Sequence, residues 1–214
     1  MRNRYDMQLH LLDTQLTHMG ELCETAIAKV TQALKEGNTE QAKIVIKEDE
    51  EIDQIEKDIE RLCLKLLLQQ QPVARDLRRI SAALKMITDM ERIGDQASDI
   101  AEIIGFLNGR IGTDAQYICQ MAVAAMRMVT ESVEAYVKRD VAMAEATIQH
   151  DDVVDDLFLK VKESLIQMIS ENPKDGEYAL DLLMIAKYFE RIGDHATNIA
   201  EWVVFSVTGV HEQG

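Results

Sequence analysis

Apolar residues recur three and four positions apart along most of the chain, which is the period of an amphipathic helix and not the alternation of a strand. Leu9, Leu12, Leu16, Met19, Cys23, Ala26, Ile27 and Val30 form the first such stripe. Gly37 stops it, and Asn38 stands where it can cap the next helix. Ile52, Ile55, Ile59, Leu62 and Leu66 form a second stripe, within a helix predicted over about Thr39 to Gln70. A third helix starts after Pro72 and ends near Gly105 to Gly112, with Leu77, Ile80, Leu84 and Ile87 expected to face the core. Three more helices follow, over about Asp114 to Arg139, Val141 to Glu171 and Asp175 to Val207, with Asp140 in the capping role of Asn38.

The two halves are copies. Glu91-Arg92-Ile93-Gly94-Asp95-Gln96-Ala97-Ser98-Asp99-Ile100-Ala101-Glu102 returns at an offset of 99 as Glu190-Arg191-Ile192-Gly193-Asp194-His195-Ala196-Thr197-Asn198-Ile199-Ala200-Glu201, identical at nine of twelve positions. Asp49-Glu50-Glu51-Ile52-Asp53 is matched by Asp151-Asp152-Val153-Val154-Asp155, and the only two prolines, Pro72 and Pro173, fall at equivalent places. The predicted class is all-α: six long helices arranged as two three-helix bundles, residues 1–108 and 109–214, joined around Asn108 to Gly112. A single spectrin-like rod is the alternative, disfavoured by the duplication.

Composition narrows the class further. With 10 glycines and 2 prolines in 214 residues there are too few turn-formers for many short strands. A net charge of −15 opposes direct binding to nucleic acid or to an anionic membrane surface and favours cations. Cys23, Cys63 and Cys119 are far apart and form no CxxC pair, so neither a zinc knuckle nor a disulfide framework is expected. The opening Met1 to His10 is too polar for a secretory signal, and no apolar run reaches the roughly 18 residues of a membrane span, so a soluble cytoplasmic protein is expected.

The candidate chemistry lies in acidic stripes. At about 100° per residue, Glu91, Asp95, Asp99 and Glu102 share one narrow face of their helix. Like charges at this spacing destabilise a helix by about 0.2–0.5 kcal/mol a pair, and a glycine inside it, Gly94 or Gly193, by about 1 kcal/mol against alanine. A repeated unfavourable choice calls for a compensating partner. Asp49 with Asp53, and Asp151 with Asp155, offer a second wall of carboxylates. If the helices pack antiparallel, four acids from two helices converge on an all-oxygen site suited to Mg²⁺, Ca²⁺, Mn²⁺ or ferric iron. The competing reading is a solvated acidic face with Arg92 and Arg191 paired within it. Glu56 and Glu60 rank lower because their counterparts are Phe158 and Lys162, and His195, in the place of Gln96, is expected to be a surface or capping side chain. Arg75-Asp76-Leu77-Arg78-Arg79 is a basic cluster expected to be solvated or a contact patch. Nucleotide-binding, hydrolase and zinc-protease motifs are missing, and no Glu precedes a His by three, as the di-iron bundle motif would require.

Gln71-Pro72-Val73-Ala74-Arg75-Asp76-Leu77-Arg78, together with the two Glu-Arg-Ile-Gly-Asp segments, closely resembles the PhoU family of phosphate-signalling accessory proteins, over essentially the whole chain. The resemblance implies two three-helix bundles whose acidic motifs hold iron or zinc in some members. Carried over by position, the metal ligands would be Asp49, Asp53, Glu91 and Asp95 in one half, and Asp151, Asp155, Glu190 and Asp194 in the other. Asp99 joins the first set as an extra acid where the family usually has Asn. The resemblance also implies a non-catalytic homodimeric regulator of phosphate homeostasis. Such a protein restrains uptake by a Pst-type phosphate ABC transporter through its ATPase, acts on a PhoR-type sensor histidine kinase, and meets the membrane only through those partners. The rival is a carboxylate-rich metal store or di-metal redox bundle.

Overall fold

The computed structural model describes residues 2–70, 73–107, 109–110 and 115–210. Among these are seven α-helices and no strand: α1 (Arg2–Glu36), α2 (Thr39–Gln70), α3 (Ala74–Phe106), α4 (Gln116–Lys138), α5 (Val141–Gln149), α6 (Asp151–Glu171) and α7 (Gly176–Thr208). A short 3₁₀ turn at Pro173–Asp175 precedes α7, tied by Asn172, whose Oδ1 accepts from the Lys174 N–H at 3.3 Å. Pro72 and most of the predicted junction between the halves lie outside the described residues.

The predicted caps are present. Asn38 Oδ1 accepts from the Gln41 N–H at 3.1 Å, and Asp140 Oδ1 from the Met143 N–H at 3.0 Å, each satisfying a backbone donor that a helix start leaves open. The residue before each cap is left-handed: Gly37 at φ 61° in the first half, Arg139 at φ 55° in the second. Glycine adopts this conformation freely, whereas for Arg139 it costs about 1–2 kcal/mol.

Two sequence expectations are corrected. The helix predicted over Val141 to Glu171 is divided at His150. His150 keeps helical dihedrals (φ −69°, ψ −14°), but the Val153 N–H reaches the His150 carbonyl at 3.1 Å, so the winding tightens to an i→i+3 turn. The His150 imidazole is drawn aside to Glu131 of α4 (Nδ1 to Oε2, 2.9 Å). The break places Asp151 and Asp152 in the first turn of a new helix, where the partial positive charge of the helix end favours them. The inward face of α3 keeps Ile80 and Ile87 buried and Leu84 packed against the core, as predicted, but leaves out Leu77. Leu77 is 45% exposed, and the buried seam runs through Ile80, Ala83, Met86, Ile87, Met90, Ile93, Ala97 and Ile100.

α3 and α7 form the most extensive helix pair, and they run antiparallel: Arg78 near the start of α3 lies under Gly209 past the end of α7. At the other end Arg110, beyond α3, pairs with Asp175 before α7 at 2.8 Å and stacks on the Tyr178 ring. α2 packs on α3, α6 on α7, and α1 crosses α4, where a Cβ on Gly20 would stand 3.2 Å from Val133 Cγ2. Buried side chains from α1, α2, α3, α4, α6 and α7 make one continuous core, with Leu12, Leu16, Met19, Met90, Tyr136 and Phe189 fully enclosed. The three cysteines are free; Cys23 is fully buried and donates its thiol to the Met90 carbonyl at 3.3 Å. No helix among the described residues is long and apolar enough to cross a membrane.

Candidate functional site

The glycine of each Glu-Arg-Ile-Gly-Asp segment marks where two helices touch backbone to side chain. A Cβ on Gly94 would stand 2.6 Å from Asp49 Oδ1 and 3.0 Å from Ile52 Cδ1, so α2 lays a carboxylate and an isoleucine directly on the α3 backbone. Gly193 receives Asp151 Oδ1 at 3.1 Å and Val154 Cγ1 at 3.5 Å in the same manner. The locally unfavourable glycines thus have a packing cause.

Around Asp49 the acids face one another. Its half-buried carboxyl is pushed up to about 6 by burial and then by Asp95, Asp53, Glu91 and Asp99. Asp151 is likewise pushed up to about 6, by burial and then by Asp194, Asp155, Glu190 and Asp152. Glu91 is raised by burial and Asp95, and Asp194 by burial and Glu190. The structure therefore gathers each predicted quartet into a shared field. It does not close them around a point: among the described residues, no three His, Cys, Asp or Glu side chains are arranged to hold an ion. The donor set, all oxygen and partly buried over a glycine that leaves room, suits hard cations.

Countercharges distinguish the halves. Arg92 pairs within the first stripe, Nη1 to Asp95 Oδ2 at 2.8 Å and Nε to Glu91 Oε2 at 3.4 Å, and Lys57 approaches Asp53 at 3.6 Å. Arg191 does not copy Arg92; its charge acts on Asp99 of the other half. Lys187 instead lies against Glu190, at a position occupied by Thr88 in the first half. Glu56 adds to the field on Glu91, whereas its counterpart Phe158 has the ammonium groups of Lys187 and Lys162 over its ring at 5.7 and 5.9 Å. The two clusters thus carry different countercharges, Arg92 and Lys57 in the first and Lys187 in the second. Lys187 was not foreseen, because it lies outside the repeated segment.

Asp99 and His195 turn outward from the quartets to join the halves. Tyr188 of α7 donates to the Asp99 carboxylate. At the equivalent place Asn198 Nδ2 donates to Asp89 of α3 at 3.1 Å, and His195 Nδ1 lies 2.9 Å from the same oxygen. Since Asp89 is the counterpart of Tyr188, and Asp99 of Asn198, these are two copies of one contact. His195 is therefore an interface side chain with its ring nitrogen committed to Asp89.

Two outcomes follow from this geometry. Gly193→Ala should be neutral or stabilising by up to about 1 kcal/mol, since the helix gains propensity and the new methyl needs only a small adjustment. Gly94→Ala should be the less stable of the two by about 1 kcal/mol, because Asp49 and Ile52 must both move; equal urea midpoints would show that the contact yields freely. The raised carboxyls also set a pH dependence. A folded-state value near 6 against an ordinary value near 4 means that the folded state binds more protons between them. This contribution to stability is fully present below about pH 4 and is lost as the pH rises through about 6. In chelator at about pH 7.5, Asp49→Asn should therefore melt higher than wild type, with the difference shrinking towards pH 4; a mutant that melts lower at both ends would show that Asp49 is stabilising when ionised.

The chain is similar to known proteins over nearly its whole length. The PhoU domain model matches residues 16–104 and again 118–203, once over each half. The phosphate-specific transport system accessory protein PhoU homolog of Clostridium acetobutylicum is 36% identical over 210 residues, covering 97% of this chain and 96% of that protein. The homolog of the same name from Aquifex aeolicus is 37% identical over 178 residues, covering 83% and 80%. The crystal structure of PhoU from Pseudomonas aeruginosa superposes with a TM-score of 0.91 at 31% identity, covering 96% of this chain and all of that one. With both halves matched, the glycine-backed carboxylate pairs repeated and the fold shared end to end, the chain belongs to the PhoU family.

Proposed function

We propose that this chain is an accessory regulator of phosphate-specific transport, an adaptor and not a catalyst. The observation that carries the reading is the match of both halves to the PhoU domain, joined to near full-length relatives named for the phosphate-specific transport system. In this reading the chain works in the cytoplasm as a homodimer, docking on the ATPase of a Pst-type ABC transporter and on a PhoR-type sensor histidine kinase. It restrains uptake and the starvation response when phosphate is plentiful. Membrane contact then runs through those partners, in keeping with the lack of a spanning helix among the described residues. The tagged protein in cells grown at high phosphate should co-purify with both the transporter ATPase and the kinase; recovery of neither overturns this reading.

The carboxylate clusters are read as two metal centres, with iron or zinc first in order and manganese, magnesium or calcium as further oxygen-seeking choices. Asp49, Asp53, Glu91 and Asp95 would hold one, and Asp151, Asp155, Glu190 and Asp194 the other. A bound cation supplies the positive charge that the facing acids lack. The chain's own part is to present the acids on α2 against α3, and on α6 against α7, with glycine backbones giving room beneath them. Asp99, committed to Tyr188, shapes the edge of the first cluster. Titration with ferric iron or zinc should raise the melting temperature in two phases. Each filled centre stabilises by about 2.7 kcal/mol at a hundredfold excess over its Kd. Asp95→Asn should remove the first centre's share of the rise and Asp194→Asn the second's, with near-additive losses because the quartets share no residue. Flat melts for wild type and both variants would leave only an acidic surface.

A further inference from the structure

In a chain with 38 acidic residues against 23 basic ones, four arginines gather at one end of the molecule, three of them around a common cavity. Arg75 and Arg79 lie one turn apart near the start of α3, Arg139 sits in the turn after α4, and Arg78 lies against Gly209 past the end of α7. Arg75, Arg79, Tyr136, Arg139, Ser206 and Val207 line a cavity of about 280 Å³. That is just under the roughly 300 Å³ at which pockets for drug-sized ligands begin, and it suits a small polar ion.

The pocket is built and not merely charged. Arg79 is only 8% exposed and is held in place from two sides: it pairs with Asp13 of α1, and its guanidinium carbon lies 5.9 Å from the centre of the Tyr136 ring. The Tyr136 hydroxyl donates to the Arg79 carbonyl at 3.1 Å, which fixes the backbone beneath the side chain. Even so, Arg79 Nε is buried without a hydrogen-bond partner among the described residues. A buried donor left unpaired is destabilising unless something answers it. Arg139 adds a second signal. It occupies the left-handed position that its counterpart fills with Gly37, so a strained residue is retained where glycine would relax the turn. Burial and the nearby Arg79 and Arg75 push its pKa down, as expected of cations crowded around a common space.

One acid of this end, Asp13, answers the cluster, pairing with Arg79 and acting on Arg139 as well. Asp140 caps α5, and Asp76 acts on Tyr5. The C-termini of α4 and α7 contribute about half a negative charge each, and together with Asp13 they leave the three lining guanidinium groups in excess by about one charge. Guanidinium forks match the paired oxygens of carboxylate and phosphate, and several of them around one small cavity favour a compact, multiply charged oxyanion.

We propose that this pocket binds a tetrahedral oxyanion of the phosphate class, inorganic phosphate or a small phosphoester, with Arg75, Arg79 and Arg139 as its principal donors. The site is separate from the carboxylate clusters and depends on neither the metal reading nor the transporter reading. Isothermal titration calorimetry of the full chain with inorganic phosphate, in chloride at a constant ionic strength of about 0.15 M, tests it directly. Saturable binding of one ion per chain is expected, weakened by about tenfold or more in Arg75→Gln and in Arg139→Gly. The exposed Arg61→Gln, paired only with Asp58 on α2, should bind as wild type does. Arg139→Gly should also melt no lower than wild type, because glycine relieves the left-handed turn, so its loss of binding would not be a loss of fold. A parallel titration with adenosine monophosphate separates the two sources: tighter phosphate identifies the free ion, tighter nucleotide a phosphoester. Absence of saturable binding for both probes, or affinities unchanged in both pocket variants, overturns the proposal.

Discussion

Carboxylates facing one another across two helices push those helices apart, and every other feature of this fold has to be seen against that repulsion. The acids of α2 and α3 raise one another's proton affinity, as do those of α6 and α7. The helices nevertheless approach until an aspartate oxygen rests on a glycine backbone. What holds them there is apolar: Ile52 and Ile59 on α2, and Met86, Met90, Ile93 and Ala97 on α3, all buried in the common core. Burial of such side chains is worth about 1.5–3 kcal/mol each, against a few tenths for each exposed like-charge pair. The core therefore sets the geometry, and the charges accept it. Arg92, Lys57 and Lys187 temper the repulsion without removing it.

Much of this could be read from residue spacing. The stripe from Leu9 to Val30 is buried as the period requires, the caps at Asn38 and Asp140 form, and the glycine-containing repeat does mark the contact between acidic helices. Periodicity reports which side of a helix is apolar, and that is a local property. It could not report the tightened turn at His150, because the backbone there remains helical and the cause, Glu131, lies on another helix. Nor could it place Leu77, which stays 45% exposed although Arg79 and Ile80 close by are buried. Arg79 was hidden for a similar reason: a basic run near a helix start reads as solvated until Asp13 and Tyr136 arrive from 66 and 57 residues away. Asp99 shares the acidic face, and only the packing of α7 reveals that Tyr188 also donates to it.

Duplication also left the halves unequal in ways that bear on what each can bind. Where the first half has Glu56 and Thr88, the second has Phe158 and Lys187, so the acidic clusters are tempered by different cations, Arg92 and Lys57 in one and Lys187 in the other. Where the first half turns on Gly37, the second turns on Arg139, and a guanidinium is brought to the lip of a cavity. Equivalent backbone positions thus differ in charge, with little change to the scaffold between them.

The paired contacts between α3 and α7 carry a different consequence. Asp89 with Asn198, and Tyr188 with Asp99, occupy interchangeable places about an approximate twofold axis. Two identical separate chains meeting in this way would be obliged to use the same residues at both contacts, since each subunit must present both partners. A carboxylate at the first position would then face its partner twice, and a tyrosine likewise. Joining the copies in one chain lifts that obligation. One junction can hold an imidazole and an amide on a carboxylate while the other uses a phenol, and each can be altered without altering its mirror image.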